Sequence, residues 1–138
     1  INTKDFAAAT PTFAEVVAME SEVAADNADV ATMAYMVNAA MRGALKSAEK
    51  FSTTGMTIWE PGNTVNGYRT EVSNQVQTND VIFGNFADLM IGFWSGLDLT
   101  VDPYAGATSG TVRVIALQDV DIAVRNAVSF CYGNTAIV

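Results

Sequence analysis

The run from Thr111 to Tyr132 constrains the fold more than any other part of the chain, because its alternation outlasts an ordinary strand. The even positions Val112, Val114, Ala116, Gln118, Val120, Ile122 and Val124 form an almost wholly apolar face. The odd positions Arg113, Ile115, Leu117, Asp119, Asp121, Ala123 and Arg125 mix packing with charge. As one strand, Val112 to Val124 would reach about 43 Å at roughly 3.3 Å per residue, against about 17–20 Å for a typical strand. An element of that reach suits a framework shared between subunits better than a closed catalytic pocket.

The rest of the chain can supply a core. Half of the 138 residues are hydrophobic, enough for one domain without disulfides or metal. Ile1 to Ala9 is neither a signal peptide nor a capped helix, and the chain reads as a piece of a longer protein. No apolar run approaches the roughly 18 residues that span a bilayer, so no membrane partner is expected. Seven basic against fifteen acidic side chains give a net charge of −8, which repels phosphate backbones and argues against specific nucleic-acid binding. Cys131 stands alone between Phe130 and Tyr132, so no internal disulfide forms, and a buried structural thiol is expected.

Helix and strand signals alternate along the first two thirds. Thr10-Pro11 offers a cap and a first-turn proline, and Thr12 with Glu15 a capping box one register later, for a helix running to about Ala25. Asp26 to Asp29 ends it as a turn. Ala31 to Val37 reads as a buried strand, and Asn38 caps a second helix to about Lys50. On that helix Arg42, Lys46 and Lys50 recur every four residues, either as a solvated face or as a subunit-contact patch. Met56 to Trp59, Gly67 to Ser73 and Val81 to Phe83 read as strands, with turns at Glu60-Pro61-Gly62-Asn63 and Val65-Asn66-Gly67. Leu89 to Trp94 and Leu97 to Asp102, separated by Ser95-Gly96, read as a hairpin with one wet face. Pro103 to Gly110 is a small-residue connector.

Chemistry finds little to stand on. The chain has no histidine, which removes Ser-His-Asp and Cys-His constellations and the commonest zinc ligand. No Gly-Lys-Ser/Thr phosphate loop occurs, and Asp119-Val120-Asp121 lacks the further oxygen ligands and glycine of a calcium loop. Asp119 with Asp121, and Asp98 with Asp102, could pair as acid and base, but Arg113 and Arg125 on the same strand make ion pairing the simpler account. Trp59, Trp94, Phe83, Phe86 and Phe93 could line a ligand groove, though core packing explains them as well. No enzyme activity, cofactor, metal or small-molecule substrate is expected.

Several segments taken in order carry a resemblance. They are Ala34 to Asn38 before a helix; Ile58-Trp59 and Gly67-Tyr68 around a loop; Ile82 to Leu89; Leu97 to Pro103; Val112 to Val114; and Gln118 to Arg125. Together they resemble the carboxy-terminal half of tailed-phage major capsid proteins of the Hong Kong 97 type, over about Pro11 to Tyr132. The resemblance implies an α+β fold, with a central mixed sheet flanked by helices as an axial domain, plus a long peripheral-domain strand. On that basis residues 1–10 are an extension or a remnant of a longer chain, 11–105 the axial domain and 106–138 the peripheral segment. It also implies that Glu60, Pro61, Gly62, Asn63 and Asn66 form a loop toward the capsomere axis. Arg113, Asp119, Asp121 and Arg125 would then lie where peripheral domains meet.

The implied function is structural: a phage or prophage head subunit made in the bacterial cytoplasm, assembling with copies of itself and other capsid subunits into an icosahedral virion shell around DNA. An encapsulin-like compartment and a small ligand- or peptide-binding module are the alternatives. Some relatives cross-link through an asparagine before the last long strand. Thr108-Ser109-Gly110 stands there instead, so cross-linking is not implied for this chain.

Overall fold

The computed structural model describes residues 1–28, 32–106 and 108–135, which form two units: Ile1–Asp88 with Asn126–Val138, and Leu89–Arg125. Asp29 of the expected turn and Ala31 of the expected strand lie outside the described residues.

The first unit contains β1 (Asn2–Phe6), α1 (Phe13–Ala25), β2 (Ala34–Val37), α2 (Ala39–Ser47), β3 (Trp59–Glu60), β4 (Thr64–Val65), β5 (Tyr68–Val72), β6 (Val81–Gly84) and, after the ribbon strands, β11 (Phe130–Thr135). Its strands make one seven-stranded mixed sheet in the order β1-β11-β6-β2-β5-β4-β3. β1 runs parallel to β11 and β2 parallel to β5, while the other neighbours are antiparallel.

Register explains the core. Tyr35 stands opposite both Phe83 and Thr70, and Cys131 opposite Phe83, so these side chains share one face of the pleat. Val16, Met19 and Val23 of α1 and Met41 and Leu45 of α2 join that face to form a single apolar cluster. The spacing of these helical residues puts them on one stripe, so each helix buries one side only. The Tyr35 hydroxyl donates to the Val16 carbonyl at 3.1 Å, which satisfies its polar end inside the core and fixes α1 over β2.

Both helix starts follow their sequence signals. Thr12 and Glu15 form the capping box, so α1 begins at Phe13 and not at the Thr10-Pro11 signal. Asn38 Oδ1 accepts from the Met41 N–H at 2.7 Å and caps α2. α2 stops at Ser47, short of the expected Lys50, because Ala48 turns extended and Glu49 bridges to Thr57. The strand expected from Met56 shrinks accordingly to Trp59–Glu60.

Residues 2–6, within the expected extension, supply the edge strand β1. Phe6 closes over Gly133 of β11, where a Cβ would stand 2.9 Å from Phe6 Cε1. A short polar segment carrying Lys4 and Asp5 has weak strand signals of its own, and its pairing with β11 decides its conformation.

The second unit is a two-stranded antiparallel ribbon in two parts. β7 (Leu89–Phe93) pairs with β10 (Val120–Val124), and β8 (Asp98–Asp102) pairs with β9 (Arg113–Leu117). The expected hairpin between Leu89–Trp94 and Leu97–Asp102 is therefore absent: β7 and β8 follow one another along one side and pair with β10 and β9 on the other. The expected single long strand is also interrupted, at Gln118-Asp119. Residues 94–97 of one side face only residues 118–119 of the other, and the unequal lengths form a bulge that breaks the ladder. The Trp94 N–H donates to the Asp119 carbonyl at 3.1 Å, and the Asp119 N–H donates to Ser95 Oγ at 3.1 Å, so the bulge is itself bonded. Residue 105, where a domain boundary is expected, lies in the turns between β8 and β9, inside the second unit.

Candidate functional surfaces

The expected axis loop is a tight, doubly anchored hairpin. Glu60 Oε1 accepts from Lys50 Nζ at 2.5 Å, while its Oε2 accepts from Thr64 Oγ1 at 3.3 Å and the Gly67 N–H at 3.2 Å. The Lys50 hydrogen bond and charge, helped by Gly67 and Thr64, outweigh burial and hold the Glu60 carboxyl below its ordinary range. Glu20 on α1 makes the second anchor, accepting from Asn66 Nδ2 at 2.5 Å on one oxygen and the Tyr68 hydroxyl at 2.9 Å on the other. Gly62, Asn63, Asn66 and Gly67 all take positive φ, the conformation that tight reversals demand. Of the loop residues singled out from sequence, Glu60 and Asn66 therefore turn inward as anchors, and Pro61, Gly62 and Asn63 form the exposed tip. Nothing in the spacing of Glu20 to Asn66 foretold their bond, since the two lie 46 residues apart.

The four charged residues of the long strand all lie along the ribbon, but not as one cluster. Arg113 opens β9 opposite Asp102, Asp119 sits in the bulge, Asp121 faces Gly92 across the ladder, and Arg125 follows β10. Arg113, Asp119 and Asp121 have no ion-pair partner among the described residues. Asp102 Oδ1 accepts from the Tyr104 and Ala105 N–H groups, so this carboxylate caps the turn beyond β8. Asp119 lies outside the ladder whereas Asp121 is paired within β10, and both are exposed.

The ribbon's apolar residues form a larger feature than its charges. Leu99 and Val101 stand opposite Ala116 and Val114, and Phe93 and Ile91 opposite Val120 and Ile122. Trp94 is 71% exposed and Val114 62%, and within β8, β9 and β10 no residue is buried. A lone two-stranded ribbon is marginal in water, and an apolar surface this extensive marks a contact area.

The aromatic residues do not gather into a groove. Phe83 and Trp59 belong to the core of the first unit, Phe86 packs edge-on against Phe130 at 5.7 Å, and Phe93 and Trp94 are exposed on the ribbon. Among the described residues no group of three or more potential metal ligands comes together.

The first unit is a mixed sheet with its helices on one face and the second a two-part β-ribbon, and comparison with known proteins gives the family. The phage capsid family model matches residues 1–135, and the chain belongs to that family. The major capsid protein of Halomonas phage phiHAP-1 is 34% identical over 123 residues, covering 89% of this chain and 20% of that protein. Among solved structures, the capsid of an empty GTA particle matches with a TM-score of 0.71 at 20% identity, over 99% of this chain and 46% of that one. The Mycobacterium phage Che8 structure matches with a TM-score of 0.68 at 15% identity, over 96% and 53%. The fold is thus the Hong Kong 97 type, and the chain spans about a fifth of the curated relative and about half of these structural neighbours.

Proposed function

We propose that this chain is part of a phage head subunit that associates with copies of itself and other capsid subunits to form an icosahedral shell enclosing DNA. The carrying observation is the ribbon, whose two sides present apolar side chains that two strands alone cannot bury. In a shell each such surface meets protein, and many identical contacts of modest strength add up to a stable particle. The work is structural, with no bond made or broken, and its place is the virion after synthesis in the bacterial cytoplasm.

In this reading the first unit is the axial domain, with Pro61, Gly62 and Asn63 at the capsomere axis. The double anchoring by Glu20 and Glu60 supports that role, because a loop packed around a symmetry axis must hold one shape in every copy. The ribbon is the peripheral segment, where Arg113, Asp119, Asp121 and Arg125 meet charges of neighbouring subunits. Electron microscopy of the full-length gene product tests the assignment. Rings or shells are expected, and a chain that stays monomeric at every concentration and salt overturns it.

A further inference from the structure

α2 carries a pair of exposed cations without an ion pair among the described residues. Met41 and Leu45 turn inward, which leaves Arg42 and Lys46 exposed one helical turn apart. Lys50, the third member of this row, is taken up by Glu60 and by the face of Phe13 at 4.3 Å. Lys46 stands 5.8 Å from the Trp59 ring, and neither Arg42 nor Lys46 has an ion pair among the described residues.

The loop after α2 adds apolar anchors. The Lys50 N–H donates to the Met56 carbonyl at 2.6 Å, and Thr53 and Gly55 take positive φ, closing a tight reversal. This holds Phe51 and Met56 outward, 55% and 57% exposed, where the remainder of the first unit exposes few large apolar side chains.

The complementary charges lie on the other helix. Glu22 on α1 and Asp26, its C-cap residue, are exposed at the same four-residue spacing. Neither makes an ion pair among the described residues, and Asn2 holds this end of α1 by donating to the Glu22 carbonyl and the Asp26 carboxylate. The Asp26 end of α1 lies by Asn2 of β1 at one edge of the sheet, whereas Lys46 of α2 lies by Trp59 of β3 at the other. Complementary patches at opposite edges of one layer join head to tail, which forms a ring where the rotation closes and differs from the self-complementary patch of a two-fold dimer.

We infer that Arg42 and Lys46 dock on Glu22 and Asp26 of the next copy of this chain. This rests on the capsid reading and names the surface through which neighbouring first units meet. DNA is the weaker occupant, because two cations release few counterions and the net charge of −8 opposes the approach.

Charge reversal in the full-length gene product tests the contact, with capsomeres and shells measured by sedimentation and electron microscopy. R42E/K46E and E22K/D26K are each expected to lower the assembled fraction at least about tenfold, because like charges then face each other. The fourfold variant is expected to recover most of it. The neutral R42Q/K46Q variant is expected to lose much of the wild type's salt sensitivity, a reading that survives if a reversal misfolds. Wild type that assembles beside reversals that assemble equally well, or a fourfold variant no better than its parents, overturns this contact alone. Loss of packaged DNA without loss of shells in R42E/K46E also overturns it, in favour of nucleic acid. A wild type that never assembles sinks the capsid reading and this contact together.

Discussion

Lys50 Nζ lies 2.5 Å from Glu60 Oε1, joining the segment after α2 to the last residue of β3. Both side chains are mostly buried, at 15% and 25% exposure, so the pair is more than a surface ornament. Glu60 then passes the constraint on through Thr64 and Gly67 to the loop tip. Replacing Glu60 with Ala strands a partly buried ammonium and releases the Gly67 N–H, and should cost about 2 kcal/mol of stability. Urea unfolding measures this, and the Glu60→Gln variant, which keeps the acceptor oxygen, should recover part of the loss. Equal stability of all three chains would show that the pair adds nothing.

Acid should loosen the same region. Burial pushes the Glu15 carboxyl up, but hydrogen bonds from the Ala7 and Thr12 N–H groups and the Thr12 hydroxyl overcome it, so it too sits below its ordinary value of 4.5. Glu60 is depressed chiefly by the Lys50 hydrogen bond. A depressed folded-state value means that the unfolded chain binds more protons in acid. The stabilisation is therefore complete above about 4.5 and disappears as pH falls through the folded values. The urea midpoint should drop across that window, and E15Q/E60Q should flatten the drop. A double variant with an unchanged acid limb would assign the pH dependence to other carboxylates.

Local signals in the sequence survived folding where one short stretch decides the outcome. Thr12 with Glu15 and Asn38 with Met41 are caps confined to a few residues, and both helix starts follow from them. The alternation from Val112 to Val124 did not reveal that the strand breaks and leaves both faces exposed, although the opposing segments differ by an even step and Val114 and Val120 stay in one apolar set. What stayed hidden depended on distant partners. β1 becomes a strand only by pairing with β11, and Asn66 becomes an anchor only because Glu20 arrives from α1. The break at Gln118-Asp119 likewise comes from the longer opposing segment 94–97, which no inspection of the strand alone reveals.

Two glycines predict opposite outcomes for the same substitution. At Gly84 a new methyl would stand 2.5 Å from the Ser129 carbonyl oxygen and from Phe130 Cδ1, and the backbone oxygen cannot swing away. Gly84→Ala should therefore destabilise by about 1–3 kcal/mol. Gly43 lies in α2 with nothing within 4 Å of the same position, so Gly43→Ala should stabilise by about 0.5–1 kcal/mol through helix propensity. Thermal melts of the two variants side by side check both signs, and like signs would contradict the packing described.

Cys131 should be silent until the fold opens. Burial first, and the Glu22 charge second, push its thiol up to about 11, and the side chain is fully enclosed between α1 and the sheet. At pH 8 the reactive thiolate is then scarce as well as shielded. A thiol reagent should label the native chain at least about a hundredfold more slowly than the chain in denaturant, since only the small unfolded fraction reacts. Labelling at comparable rates would place the thiol in reach of solvent.

The ribbon gives the sharpest separation between folding and assembly. Val101 and Val114 stand directly opposite each other on β8 and β9, yet are 61% and 62% exposed. Thr fits both sites with the same branched shape and strand preference, so V101T/V114T should change the stability of the lone chain by less than about 0.5 kcal/mol. If neighbouring protein covers this face in the shell, each valine contributes roughly 1–2 kcal/mol of burial to assembly. The two losses together should raise the protein concentration needed for shell formation by at least about tenfold, read by light scattering of the full-length gene product. A variant that assembles at the wild-type concentration would mean that this face stays wet in the particle. The apolar alternation of the strand would then serve the ribbon's own pairing and not its neighbours.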